Sequence, residues 1–146
     1  LHGCNVFPVV LESDHMRRIL TPEPTYHDDE RQRFYAQLVA IGDTIYRSDV
    51  PVIFDATGNR RIYRERARKQ LDRFVEIYVN SPLDICKSRD PKGIYAAALS
   101  GAASTVPGVQ TVYEPPESPE LAIDGRTSPD VNAELILECL RTFHYL

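Results

Sequence analysis

Two aspartates follow short apolar runs, where a side chain of an α/β fold could take part in chemistry. Asp55 ends the run Val52-Ile53-Phe54-Asp55, and Asp14 comes shortly after Val9-Val10-Leu11. Ligands of open α/β sheets bind beyond the carboxyl ends of the strands, and carboxylates suit magnesium beside transferring phosphates. Both residues are therefore candidate magnesium ligands and catalytic groups. The alternative for Asp55 is that it only begins a turn, as aspartate often does.

Asp14 is also followed by two arginines, Arg17 and Arg18. A carboxylate close to guanidinium groups could orient a hydroxyl while an arginine binds an anion through paired hydrogen bonds. The competing interpretation is an N-capping aspartate with its arginines on a solvated helix face. The local sequence alone favours this second interpretation.

Short apolar runs alternate with helical patterns, which predicts a parallel α/β sheet with flanking helices. The predicted strands are 6–11, 50–55, 74–80 and 121–124, and the first of them is expected to be buried. The predicted helices are 28–48, 60–73, 83–88, 94–99 and 128–143. Helical spacing predicts two buried stripes: Phe34, Leu38, Ile41 and Ile45 in one helix, and Val131, Leu135 and Leu140 in the last.

Length and composition exclude several classes of protein. The 146 residues suit one domain, and no run approaches the about 18 apolar residues of a membrane-spanning helix. With 17 lysines and arginines against 21 aspartates and glutamates, the net charge of −4 disfavours a nucleic-acid binder. The start of the chain lacks the features of a signal peptide, and its three cysteines suit reduced thiols. We therefore expect a cytoplasmic protein.

The most specific strings are R-D-P-K-G-I-Y at 89–95 and Y-E-P-P-E-S-P-E-L at 113–121, with V-N-S-P-L-D-I-C at 79–86. They resemble adenylylsulfate kinases, whose chains read R-D-P-K-G-L-Y, Y-E-P-P-E-N-P-E-L and V-D-T-P-L-E-V-C. Order and spacing agree from about Val9 to Asp124. The resemblance implies one domain over 1–146 with a P-loop NTPase-like parallel sheet, flanking helices and a lid over about 89–120.

Adenylylsulfate kinases transfer the γ-phosphoryl group of magnesium ATP to the ribose 3′-hydroxyl of adenylylsulfate. The family's D-G-D-N-x-R matches 12–17, which implies that Asp14 lies by the acceptor hydroxyl as base or magnesium ligand. Arg17 would then hold the anionic group of the substrate. The family's F-S-x-x-D-R matches 26–31, which implies that Tyr26 stacks on the substrate base and that Arg31 is a second anion contact.

The resemblance also implies roles for the rest of the site. Arg89 and Lys92 would lie near ATP in the lid, which closes to exclude water. Thr57 and Tyr113 are expected to contact the acceptor nucleotide, and Asp55, in a string that resembles a Walker B element, would be the second magnesium ligand. Because family members commonly dimerise, a homodimer is also expected.

Several positions depart from the family pattern. The Asn three residues after the family's D-R is Phe34, and the turn after the second strand reads D-A-T-G-N, which resembles the broader group of small-molecule and polynucleotide kinases. The lid's K-x-F-T-G-I-D becomes S-T-V-P-G-V-Q at 104–110, which removes a lysine and an aromatic partner of adenine. Losing one stacking partner costs about 1–3 kcal/mol per base. Two alternatives follow: a kinase for another nucleotide-like acceptor such as a cytidine diphosphoramidate, and a degenerate, non-catalytic nucleotide- or anion-binding module.

A Walker A motif, G-x-x-x-x-G-K-[ST], is absent from the 146 residues. That loop cradles the ATP phosphates, and in the family it follows the strand in the middle of the sheet. We expect this chain to lack that first strand and loop, to be poorly stable or oligomeric alone, and to bind no ATP by itself. A Walker A loop encoded upstream would favour an enzyme, and its absence would favour the binding module.

Overall fold

The computed structural model describes residues 1–103 and 105–146, and these form two compact units, Leu1–Phe74 and Val75–Leu146. Ser104, which belongs to the predicted lid, lies outside the described residues. The single domain over 1–146 stays a prediction. None of the helices in the described ranges is long and apolar enough to cross a membrane.

The first unit is built on two parallel strands. After a short 3₁₀ helix at His2–Cys4 come β1 (Val9–Glu12), α1 (Ser13–Leu20), α2 (Asp28–Tyr46), β2 (Val52–Asp55) and α3 (Arg61–Gln70). β1 pairs with β2 in parallel, from Val9 opposite Val52 to Glu12 opposite Asp55. The carboxyl ends of both strands therefore lie at the same edge, which carries Asp55 and the start of α1.

The core of the first unit lies between this strand pair and the helices. Phe34 and Leu38 of α2 are fully buried, and Ile41 and Ile45 pack against the same cluster, as the helical spacing predicted. At Gly42 of α2 an added Cβ atom would lie 2.2 Å from the ring of Phe54. This close approach brings α2 onto β2, so only glycine fits there without displacement.

The second unit repeats the parallel pairing. It contains β3 (Ile77–Asn80), α4 (Leu83–Arg89), α5 (Ile94–Leu99), β4 (Leu121–Asp124) and α6 (Pro129–Thr142), and β3 pairs with β4 in parallel. The predicted α/β class, with parallel strands and flanking helices, is confirmed.

The burial predicted for the first strand is wrong. The strand begins at Val9 because Pro8 has no N–H to donate, and the Val9 N–H bonds to the Pro51 carbonyl at 2.8 Å. Side chains alternate between the two faces of a strand, so Leu11 packs into the core with α2 while Val10 on the other face is 55% exposed.

The buried stripe predicted for the last helix is also wrong. Val131 and Leu135 are 52% and 43% exposed and Leu140 is half-buried, whereas Asn132 is buried. The Asn132 side-chain amide donates to the carbonyl oxygens of Asp124, at 2.9 Å, and Thr127, at 3.5 Å. These hydrogen bonds fix which side of α6 faces β4.

Candidate functional site

Asp14 and Asp55 lie at the carboxyl edge of the β1–β2 pair. Asp55 is the last residue of β2, and Asp14 is in the first turn of α1, two residues beyond the partner of Asp55 in β1. Both residues are exposed. Asp14 is not an N-cap: Glu12 occupies that position and forms no side-chain capping bond. The capping interpretation of Asp14 is therefore wrong.

Arg17 lies on the inner side of α1 rather than on a solvated face. Its Nη1 forms an ion pair with Glu30 Oε1 at 2.5 Å, and both side chains are only 11% exposed. The guanidinium carbon lies 3.9 Å from the centroid of the Phe34 ring, a cation–π contact. The expectation that solvent surrounds this arginine is wrong because Phe34 and Glu30 of α2 face it.

The second carboxylate oxygen of Glu30 binds the segment that enters α2. Oε2 accepts hydrogen bonds from the Thr25 N–H, from Thr25 Oγ1 at 2.9 Å and from the Tyr26 N–H at 2.8 Å. Burial alone would raise the pKa of Glu30, but these hydrogen bonds and the Arg17 charge outweigh it and lower that pKa below its ordinary value of 4.5. Glu30 is therefore held as a carboxylate.

The Tyr26 ring lies close to two guanidinium groups. The centroid of its ring is 5.0 Å from the guanidinium carbon of Arg17 and 5.5 Å from that of Arg31. Its backbone is left-handed, with φ of +58°, and Arg31 Nε donates to its carbonyl oxygen at 2.9 Å. With Tyr26 39% exposed, the cluster offers an aromatic surface close to positive charge, which suits a base attached to an anionic group.

The turn after β2 is held from two helices. The Gly58 N–H donates to the hydroxyl of Tyr35 on α2 at 3.1 Å, and Arg64 of α3 donates to the Gly58 carbonyl. The Tyr35 ring stacks on that of Tyr63, with centroids 4.5 Å apart and planes at 18°. Thr57, one residue before Gly58, is exposed. The turn thus fixes the backbone that follows Asp55.

Burial and nearby charges shift the pKa of Tyr35. Burial raises its pKa and Asp14 raises it further, while the Gly58 hydrogen bond, Arg17 and Arg31 oppose the rise. The hydroxyl therefore stays protonated at neutral pH.

The donors at this edge fit magnesium better than a transition metal. Within residues 1–103 and 105–146, no three His, Cys, Asp or Glu side chains form a group able to hold a metal ion. Magnesium is usually bound through one or two carboxylates together with water and substrate phosphates. The exposed carboxylates of Asp14 and Asp55 are donors of that kind.

The second unit holds the remaining predicted site residues. Arg89 ends α4 and its Nη1 donates to the Gly125 carbonyl at 2.8 Å. Lys92 is exposed in the turn before α5. The Tyr113 ring lies nearly parallel to that of Tyr78, with centroids 6.2 Å apart. Arg89 is therefore tied to the loop after β4, and Tyr113 to β3.

Three residues of the first-unit site were not predicted from the sequence: Glu30, Phe34 as a partner of Arg17, and Tyr35. The sequence does mark Glu30, because this residue occupies the position of the family's Asp in F-S-x-x-D-R, next to Arg31. Phe34 was assigned to the buried stripe of its helix, and Tyr35 was given no role. Their contacts with Arg17 and Gly58 depend on how α2 packs against α1 and the turn after β2.

Comparisons with known proteins agree with these features. The family described as adenylylsulphate kinase matches residues 2–124. A probable adenylyl-sulfate kinase of Pyrococcus abyssi is 34% identical over 138 residues, which is 94% of this chain and 79% of the relative. An adenylyl-sulfate kinase of Enterobacter sp. is 30% identical over 143 residues, which is 97% of this chain and 71% of the relative.

A solved structure gives the same result for the fold. The Mycobacterium tuberculosis APS kinase CysC, in complex with AMPPNP and APS, matches with a TM-score of 0.89 and 26% identity, over 97% of this chain and 84% of that chain. The family match covers most of the chain, and both relatives are at least 30% identical to it over more than two thirds of their own length. The chain belongs to the adenylylsulphate kinase family.

Proposed function

We propose that this protein phosphorylates the 3′-hydroxyl of adenylylsulfate with ATP, and that its first unit binds the acceptor nucleotide. The observation that carries the proposal is the exposed Tyr26 close to the guanidinium groups of Arg17 and Arg31, in the unit that also carries Asp14. A nucleotide with a sulfated phosphate presents a flat base and a strongly anionic group. Such a ligand matches an aromatic surface beside two cations.

Each residue has a role in this proposal. Tyr26 stacks on the base, and the positive charges of Arg17 and Arg31 bind the sulfate and phosphate oxygens. Asp14 accepts the proton of the 3′-hydroxyl, which makes that oxygen a better nucleophile. Thr57 binds the acceptor from the turn after β2. When bound at Asp14 and Asp55, magnesium would neutralise charge on the transferring phosphoryl group.

The second unit is proposed to serve the ATP side and the lid. Arg89 and Lys92 contact ATP, and Tyr113 contacts the acceptor. The ATP phosphates need a Walker A loop, which is not among these 146 residues, so no phosphate contact of that kind is assigned to them. A homodimer and a cytoplasmic location stay predictions, and light scattering on the native protein tests the first.

The test is a calorimetric titration of the native protein, with any sequence that adjoins residues 1–146, using adenylylsulfate. Arg31→Ala should weaken binding about 10- to 100-fold, because it removes a charge-assisted contact. Arg33→Ala is the matched control, since Arg33 is an exposed arginine on the same helix. Equal affinity of wild type and Arg31→Ala would contradict the proposal.

A second candidate acceptor is a different nucleotide, such as a cytidine diphosphoramidate. The observation that favours it is Phe34, which replaces the family's Asn and is fully buried. Its ring lies against Arg17 and has no polar group to offer a nucleotide. A competition titration separates the candidates: the nucleotide that displaces the other at lower concentration is the preferred acceptor.

A further inference from the structure

We propose that Glu30 is a positioning residue of the acceptor site, which holds Arg17 and Tyr26 in their binding arrangement before any nucleotide arrives. The inference rests on the proposed function for the identity of the ligand. It concerns a residue that touches neither the nucleotide nor the reacting atoms, and it acts through its two neighbours.

The two oxygens of the Glu30 carboxylate bind different parts of the site. Oε1 binds Nη1 of Arg17 at 2.5 Å, which fixes an arginine of α1 that precedes it by 13 residues. Oε2 takes the N–H and hydroxyl of Thr25 together with the N–H of Tyr26. One side chain on α2 therefore holds α1 and the segment between the helices at the same time.

The backbone of Tyr26 has a conformation that neighbouring groups must stabilise. A φ of +58° is uncommon for a residue with a side chain, and it persists where neighbouring groups fix it. Glu30 accepts from the Tyr26 N–H, and Arg31 donates to the Tyr26 carbonyl. Both backbone polar groups of Tyr26 are thus engaged, which fixes the point from which its ring projects toward Arg17 and Arg31.

Glu30 also orders the side chain of Arg17. A free arginine side chain samples many rotamers, and ordering it on binding reduces affinity. Here Phe34 covers one face of the guanidinium and Glu30 binds Nη1, so the group is ordered in advance. Glu30 binds Arg17 through Nη1, which leaves the other N–H groups of Arg17 for an anion.

The variant Glu30→Gln separates the two contacts. Its amide oxygen can still accept from Thr25 and Tyr26, but its NH₂ group would face the donors of Arg17. In the native protein we expect the KM for adenylylsulfate to rise about 10- to 100-fold, while kcat and the KM for ATP change by less than about twofold. The matched control is Asp29→Asn, which removes a neighbouring acidic charge of α2 and should leave all three constants within about twofold.

Rescue by the conservative variant distinguishes positioning from folding. Glu30→Asp restores the charge on a shorter side chain, so its KM for adenylylsulfate should lie nearer to wild type than that of Glu30→Gln. The proposal is overturned if Glu30→Gln leaves this KM unchanged. It is also overturned if both KM values, kcat and the unfolding midpoint deteriorate together, since that result indicates a general loss of structure.

Hydrogen exchange of the Tyr26 amide tests positioning without any nucleotide. We expect the amide to be protected in wild type and to exchange at least about tenfold faster in Glu30→Ala. Equal exchange rates in the two proteins would overturn the positioning role. If wild type binds no adenylylsulfate but this difference in exchange is found, the proposed acceptor is wrong and the role of Glu30 is supported.

Discussion

Replacing Tyr35 with phenylalanine should weaken the turn that follows Asp55. The hydroxyl of Tyr35 is the acceptor for the N–H of Gly58, 3.1 Å away, and both residues are buried. Phenylalanine keeps the ring and its stacking on Tyr63. The substitution therefore removes one hydrogen bond and leaves the aromatic packing in place.

The magnitude follows from the burial of the N–H group. An unsatisfied buried donor costs about 1–3 kcal/mol, more than the net value of an average hydrogen bond, because the group has lost its water as well. The Gly58 carbonyl is also bonded, by Arg64 of α3, so the residue is held on both sides and the turn is not free to move its N–H toward another acceptor. We expect the free energy of unfolding to fall by about 1–3 kcal/mol.

The assay is urea unfolding of the native protein followed by circular dichroism. Tyr63→Phe is the matched control, because within the described residues the Tyr63 hydroxyl forms no hydrogen bond to the turn. That control should change the free energy of unfolding by less than about 0.5 kcal/mol. The reasoning is refuted if Tyr35→Phe and Tyr63→Phe have the same effect, or if Tyr35→Phe is no less stable than wild type.

Three further predictions concern packing, pH and catalysis. Gly42→Ala should reduce the free energy of unfolding by about 1–3 kcal/mol because its methyl group meets the Phe54 ring. Gly3→Ala is the control and should cause no such loss, since a Cβ atom added there would have no neighbour within 4 Å. Urea unfolding measures both variants. Because the pKa of Glu30 is lowered from 4.5 in the folded state, its contribution to stability is complete above that pH and is lost as the pH falls further. Thermal unfolding between neutral and acidic pH should therefore show a shallower loss in Glu30→Gln than in wild type, and parallel curves would contradict it. Asp14→Asn should lower kcat about 100-fold or more while the affinity for adenylylsulfate, measured by titration, changes by less than about threefold. Near-normal turnover would show that Asp14 is not the base.

Features set by local sequence could be predicted, and features set by packing between elements could not. The stripe of Phe34 and Leu38 follows from helical periodicity within α2, and Asp55 at the end of β2 follows from the apolar run before it. α1 was not predicted as a separate helix, since its eight residues carry few apolar side chains and end in an arginine-rich turn.

The role of Glu30 shows why the site was only partly predictable. Three acidic residues begin α2, and all favour the positive end of a helix dipole, so charge patterning does not distinguish Glu30 from its neighbours. Its match to the family's Asp marks the position but not the groups that it contacts. Glu30 turns inward because Arg17, Thr25 and Tyr26 converge on it once α1 packs against α2. In α6 the same effect shifted the buried side, because Asn132 donates to carbonyl oxygens at the end of β4 and in the loop after it.

The most direct test is phosphoryl transfer by the native protein, with any sequence that adjoins residues 1–146. The protein is incubated with ATP, magnesium and either adenylylsulfate or a cytidine diphosphoramidate, and ADP release and the phosphorylated product are measured. The account predicts that adenylylsulfate is converted to its 3′-phosphorylated form and is the better acceptor. Turnover of another acceptor while adenylylsulfate stays unchanged would contradict the proposed substrate, and no transfer to either would contradict the proposed kinase activity.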